Sequence, residues 1–423
     1  MNKNQNCEYK NLIKHLSLIK KAANLADIMD QLRWKYAKDY GTEDNSYREY
    51  VDDQINNWWI AFYQNHDKLA CELKKGGGSF LSEFMQEHLQ TKVIDIAWEY
   101  GFNQQTNKYQ LVLTPEDDLD LRPMVENLIG RAPKLENWSF FSYRQPISFV
   151  DCEKTVPIKS GEPLLDLQFT GGKGSENKVE IKFYYPGIEK DKSLYNLVVN
   201  QAFFTLEALL GEEILDKWIG IIEVLELPVE DVQLLPLTDL KTYVDTQLVL
   251  IKNQLPDKPY HNFSEDSDWM LYELEPTEAE DYPQQKDLYI ARTMNSTLWT
   301  NVQKGLPFYS ENYSRLGEVF CYLKMDGNFS DEESFFELKT EIESQINQAL
   351  LDEGYGSVIG SGTGFRYQYI DLALSNFKKA IPLIQQLTVE LGTPRRTWLL
   401  FFETPLKNEW IGMFEETPPP YLG

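Results

Sequence analysis

Apolar and polar positions alternate most regularly between Glu318 and Phe402, where they predict strand, helix, strand, helix and strand in succession. Val319, Cys321, Leu323 and Met325 alternate with Glu318, Phe320, Tyr322 and Lys324, the two-residue period of a strand. Ser330-Asp331-Glu332-Glu333 follows as a capping box, in which Ser330 and Glu333 each satisfy a free backbone N–H. Phe335, Leu338, Ile342, Ile346 and Ala349 then fall at helical spacing, and Gly354 and Gly356 end that helix. Ser357 to Leu374 returns as extended chain, broken by Gly360, Gly362 and Gly364. Phe377, Ala380, Ile381, Ile384, Leu387 and Leu391 form a second stripe, stopped by Gly392 and Pro394 before the apolar strand Thr397 to Phe402.

The same reading extends upstream. Residues 8–90 carry helical stripes, among them Ile55, Trp58, Trp59, Phe62 and Leu69. Gly76-Gly77-Gly78 breaks that pattern, because consecutive glycines forfeit helix propensity. A short helix capped by Ser79 is expected next. Trp58-Trp59 reads as a pair buried against the following domain rather than an exposed docking pair. Two-residue alternation takes over from Val93, with strands expected at 94–100, 109–113, 138–144, 164–170, 178–185 and 218–227. Helices are expected over 114–129, 194–210 and 240–255. This order is an α+β plan with mainly antiparallel sheets. It divides the chain into a helical region 1–90, a first α+β domain 91–255, an acidic connector 256–286 and a second α+β domain 287–423.

Composition narrows the function classes more than the fold. The 423 residues carry a formal charge of −25, a surface that repels nucleic acid and steers a basic partner. Acidity also serves plain solubility, and that reading stands beside the first. No window approaches eighteen uninterrupted apolar residues, so no ordinary membrane span is expected. Met1 to Lys10 is polar and lacks the apolar run of a signal peptide, which makes a cytoplasmic location the expectation. Cys7, Cys71, Cys152 and Cys321 are scattered without C-x-x-C spacing, so no metal site or cofactor is expected. Cys321, in an alternating strand, reads as a core residue.

Three stretches are candidates for chemistry or binding. Gly360-Ser361-Gly362-Thr363-Gly364 has glycines that elsewhere cradle phosphate, but its spacing is G-x-G-x-G and a strand follows, so a bend, bulge or hairpin fits better. Directly after it, Tyr367, Tyr369 and Asp371 share one strand face, with Arg366 beside them. That set suits a polar ligand, and burial of Asp371 would raise its pKa toward acid–base work. The competing reading packs both tyrosines on a neighbouring helix, while Asp371 pairs with a lysine or caps a turn. The third stretch is the connector, where Glu265, Asp266, Asp268, Glu273, Glu275, Glu278, Glu280 and Asp281 surround Trp269 and Tyr272. There the acids would meet a basic partner and the aromatic pair would anchor it. Glu223, on an apolar strand, is expected at a solvated or edge position. No nucleophile elbow, H-E-x-x-H or EF-hand pattern occurs, and no catalytic residue is assigned.

Glu333-Ser334-Phe335-Phe336, the glycine bend and Tyr369-Ile370-Asp371-Leu372 resemble uncharacterised bacterial domains with a ferredoxin-like plan. Thr114-Pro115-Glu116 through Ala132-Pro133 to Trp138 resembles segments of bacterial hypothetical proteins. The resemblance implies a ferredoxin-like C-terminal domain. It carries no activity, so it assigns no residue. The expected function is therefore protein binding, in its concrete form an acidic, immunity-type neutraliser of a basic toxin. An enzyme or small-ligand sensor built on Arg366, Tyr367, Tyr369 and Asp371 is the alternative from another class, and a structural or assembly protein is a third.

Overall fold

A computed structural model describes residues 45–174, 176–227, 232–263, 269–276, 285–327, 332–418 and 420, with side chains from 51 onward and, in the helix opening at Glu332, from 338. Mixed and antiparallel sheets combine with helices in an α+β fold. The described residues form two units, one of 45–142, 271–292 and 319–420, the other of 143–270 and 293–318. No helix among the described residues is long and apolar enough to cross a membrane.

In the first unit, α1 (Asn45–Lys75) and α2 (Gly78–Met85) pack on a sheet of β1 (Ala97–Asn103), β2 (Lys108–Thr114) and β3 (Trp138–Phe141). Helix α3 (Arg122–Gly130) makes the crossover that lets β2 and β3 run parallel. Ile55, Trp59 and Phe62 recur at helical spacing and are wholly buried. Trp59 Nε1 donates to the Leu128 carbonyl at 2.7 Å, which settles its polar atom inside an aromatic core. Phe62 meets Trp138 edge-on with centroids 5.0 Å apart. The expected boundary at residue 90 thus runs through one core rather than between two. Gly76, at φ +70°, ends α1 in the left-handed region that glycine enters freely, and Gly77, not Ser79, caps α2.

The second unit has α4 (Phe149–Ser160), β4 (Gln168–Lys173), β5 (Val179–Tyr184), α5 (Lys192–Leu210), α6 (Glu212–Trp218), β6 (Ile219–Leu225), β7 (Leu235–Pro236), α7 (Leu240–Gln254) and α8 (Ser296–Gln303). Its sheet runs β6-β5-β4-β7, and Phe169, Ile181 and Phe183 pack against Ala202, Leu206 and Val244 of the helices. Glu223 sits on the edge strand β6 and pairs with Lys182 at 2.7 Å, both half in solvent.

A seven-stranded sheet completes the first unit. It is built from β8 (Met270–Glu273), β9 (Leu288–Thr293), β10 (Val319–Asp326), β11 (Gly356–Gly364), β12 (Tyr367–Leu374), β13 (Thr397–Phe401) and β14 (Trp410–Gly412), in the order β14-β13-β10-β12-β11-β9-β8. Helices α9 (Glu332–Glu353) and α10 (Phe377–Glu390) follow β10 and β12. Numbered within the β-α-β-β-α-β run, the central strands lie 4-1-3-2 and pair antiparallel, which is the ferredoxin-like plan. Cys321, Leu323, Ile370, Leu372 and Leu399 face Ile342, Ile346, Ala380 and Ile384 of the two helices. Ser330 of the expected capping box lies outside the described residues. The segment expected to connect domains instead supplies β8 to this sheet.

Candidate functional site

The face of the seven-stranded sheet turned away from α9 and α10 carries the sequence candidates. Two-residue alternation sends Ile370, Leu372 and Leu374 into the helical core and Tyr367, Tyr369 and Asp371 to the opposite side. Register then sets rows across the strands. Gly360, Asp371, Tyr322 and Leu400 form one row; Gly362, Tyr369, Lys324 and Trp398 form the next. Tyr367, Tyr369, Asp371, Tyr322, Lys324 and Trp398 are all buried.

The three glycines make room for that row. None of Gly360, Gly362 and Gly364 has positive φ, so clearance and not backbone freedom calls for them. A Cβ on Gly360 would stand 2.6 Å from Asp371 Oδ2 and 3.0 Å from the Arg292 carbonyl. One on Gly362 would strike Leu288, and one on Gly364 the Asp287 carboxylate. The stretch is one strand of a hairpin with an irregularity between Val358 and Gly360, in keeping with the bulge-or-hairpin reading.

Asp287 organises the hairpin turn. Its Oδ2 accepts the backbone N–H groups of Arg366 and Tyr367, at 3.0 and 2.9 Å, and its Oδ1 accepts the Tyr369 hydroxyl. Burial, then the Asp287 charge, holds the Tyr369 hydroxyl well above the ordinary phenol range. Asp371 accepts from Gln285 Nε2 at 3.0 Å. Burial pushes its carboxyl up to about 7; the Gln285 hydrogen bond and Lys339 oppose that rise, and Glu343 adds to it. Arg366 lies over the Tyr367 ring and 3.5 Å from Asp326, which also takes Arg396 Nε at 2.7 Å. Lys324 Nζ stands 3.9 Å from the centre of the Tyr367 ring.

Of the four predicted residues, Tyr367, Tyr369 and Asp371 therefore share a buried face held by polar contacts, and Arg366 stands half-exposed beside it. Two open recesses, of about 510 and 480 Å³, lie beside Gln385 and Phe414 and beside Lys192 and Tyr195, and neither is lined by Tyr367, Tyr369 or Asp371. Sequence reasoning missed Gln285 and Asp287, which hold the network from outside the strand pattern. The readable signal was elsewhere, in Lys324 and Asp326 on a strand otherwise apolar and aromatic.

Of the expected partner-binding residues, Glu265, Asp266, Asp268, Glu278, Glu280 and Asp281 lie outside the described residues. Trp269 is exposed, and Tyr272 sits half-buried in β8. The neighbouring surface adds apolar side chains that the sequence pattern did not single out: Leu271, Tyr289 and Phe365 are 66%, 42% and 68% exposed. Tyr289 and Phe365 stand with ring centroids 6.0 Å apart. Compared with known proteins, the chain matches no family model, no curated protein and no solved structure.

Proposed function

We propose that this chain acts by binding another protein, and that the partner is basic. The observation that carries the reading is the exposure of Leu271, Tyr289 and Phe365 at one end of the seven-stranded sheet, on a chain of charge −25. Isolated exposed apolar residues need no explanation, whereas two neighbouring rings beside an acidic sequence offer both anchors and steering. In its concrete form the chain is a cytoplasmic, immunity-type neutraliser of a basic toxin. Immobilised protein should retain a basic protein from the native host and release it in salt. The triple variant Leu271→Ser, Tyr289→Ser, Phe365→Ser should retain much less. Retention of an acidic protein, or equal retention by the variant, would count against the reading.

A second reading places acid–base chemistry at Asp371, and its support is a carboxyl pushed up to about 7. A catalytic role requires a path for substrate to the buried row. Loss of a measured turnover in Asp371→Asn, with folding intact, would favour it over the first.

A further inference from the structure

Strand β8 offers a second kind of recognition beside its side chains. The Leu274 N–H donates to the Tyr289 carbonyl at 3.0 Å. Backbone groups of a strand alternate sides, so Leu274 and Tyr272 turn toward β9, while Leu271 and Glu273 turn their N–H and C=O away from it. Strand β8 ends the sheet, so among the described residues no strand pairs with that outer side. Natural edges are blunted by short length, charge and proline; β8 is four residues long and ends on Glu273, and Glu275 and Pro276 follow just beyond it. Those devices discourage self-pairing. They do not account for Leu271, which is two-thirds exposed on the same strand.

The side-chain pattern states what the edge fits. Leu271, Glu273 and Glu275 are exposed and alternate with half-buried Tyr272, Leu274 and Pro276. A strand laid alongside therefore meets an apolar group, an acid and an acid at two-residue steps. A second copy would set these acids against like charges on another chain of −25. A basic segment meets opposite charge instead. We propose that β8 is a strand-addition site whose occupant is an extended basic segment of a partner protein, patterned apolar-x-basic-x-basic and hydrogen-bonded to the outward backbone of Leu271 and Glu273. This inference rests on the protein-binding reading and specifies how the partner engages.

The probe is a nine-residue peptide, Lys-Thr-Lys-Thr-Val-Thr-Lys-Thr-Lys, whose pattern is the same in either direction. Its control has the same composition with the four lysines consecutive. Added to the full chain, the alternating peptide should slow hydrogen exchange of the Leu271 and Glu273 amides by about tenfold or more, because new backbone bonds form there. The control should bind roughly tenfold more weakly, a difference of about 1.4 kcal/mol. Leu271→Pro removes one outward N–H where the sheet does not use it, so thermal unfolding should be unchanged while peptide binding is lost. Should that variant fail to fold, Glu273→Lys with Glu275→Lys serves in its place. It should reject the lysine peptide and accept its glutamate counterpart. Protection elsewhere, equal binding of both peptides, or a dimer abolished by Leu271→Pro would overturn the proposal. If a basic partner still binds Leu271→Pro in a salt-sensitive way, strand addition falls and the protein-binding reading stands. If neither a basic partner nor the peptide binds the parent chain, both fall.

Discussion

At the scale of single residues, the glycine row and Asp371 depend on each other. Gly362 lies opposite Tyr369 with Leu288 directly over it, so a methyl group there must displace packed atoms. Gly362→Ala should lower stability by about 1–3 kcal/mol, the usual range for overpacking, read as a shift of the urea midpoint with unchanged slope. Asp371 gives a pH signature. Its carboxyl titrates near 4 in an unfolded chain, about the model-peptide value, and at about 7 in the fold. The native state thus keeps a proton that the unfolded chain has released. Stability from this group is fully present below the unfolded pKa and is lost as pH rises through the folded one. Urea midpoints of the parent should fall between about pH 4 and 7 on that account, and Asp371→Asn, which has nothing to titrate, should flatten that limb. An identical slope in the variant would move the titration to another group. This site was half legible in the sequence. Period two placed Tyr367, Tyr369 and Asp371 on one face, but no local pattern reports that Asp287 and Gln285 close over them from residues 80 or more positions away.

At the scale of elements, periodicity worked where one face meets a core and failed where it does not. Strands β10 and β13 and helices α5, α7 and α10 follow their stripes closely. Helix α4 was missed because Pro157 lies inside it and only Cys152 and Val156 are buried, too few to make a stripe. Its start rests on Ser148, whose side chain accepts the Asp151 N–H. Helix α5 opens the same way, with Asp191 accepting from the N–H groups of Ser193 and Leu194. Asp191→Ala should cost about 1 kcal/mol in chemical denaturation, typical of a lost N-cap, and Asp191→Asn much less. The division into units was the least legible feature. Alternation says that a strand has an inner face, not which core that face joins, so the joining of 45–142 to the C-terminal sheet was hidden. Lys407 and Asn408 reach Asp120 across that join, at 3.2 and 2.9 Å.

At the scale of the whole molecule, the charge of −25 is what bears most on partners. Charge of that size acts at a distance, so it governs how fast a partner arrives more than how long it stays. The most direct measurement is the association rate of the retained partner across a salt series, taken with the parent and with a variant in which Glu273, Glu275, Glu278 and Glu280 are changed to Gln. Screening shortens the reach of exposed charges to about 8 Å at physiological salt. The rate for the parent should therefore drop by roughly tenfold or more from dilute to physiological salt, while dissociation changes less. The variant should start slower and respond less to salt, with its unfolding transition unmoved. An association rate indifferent to both salt and these four substitutions would show that the charge serves only to keep the protein dispersed, and would contradict a basic partner.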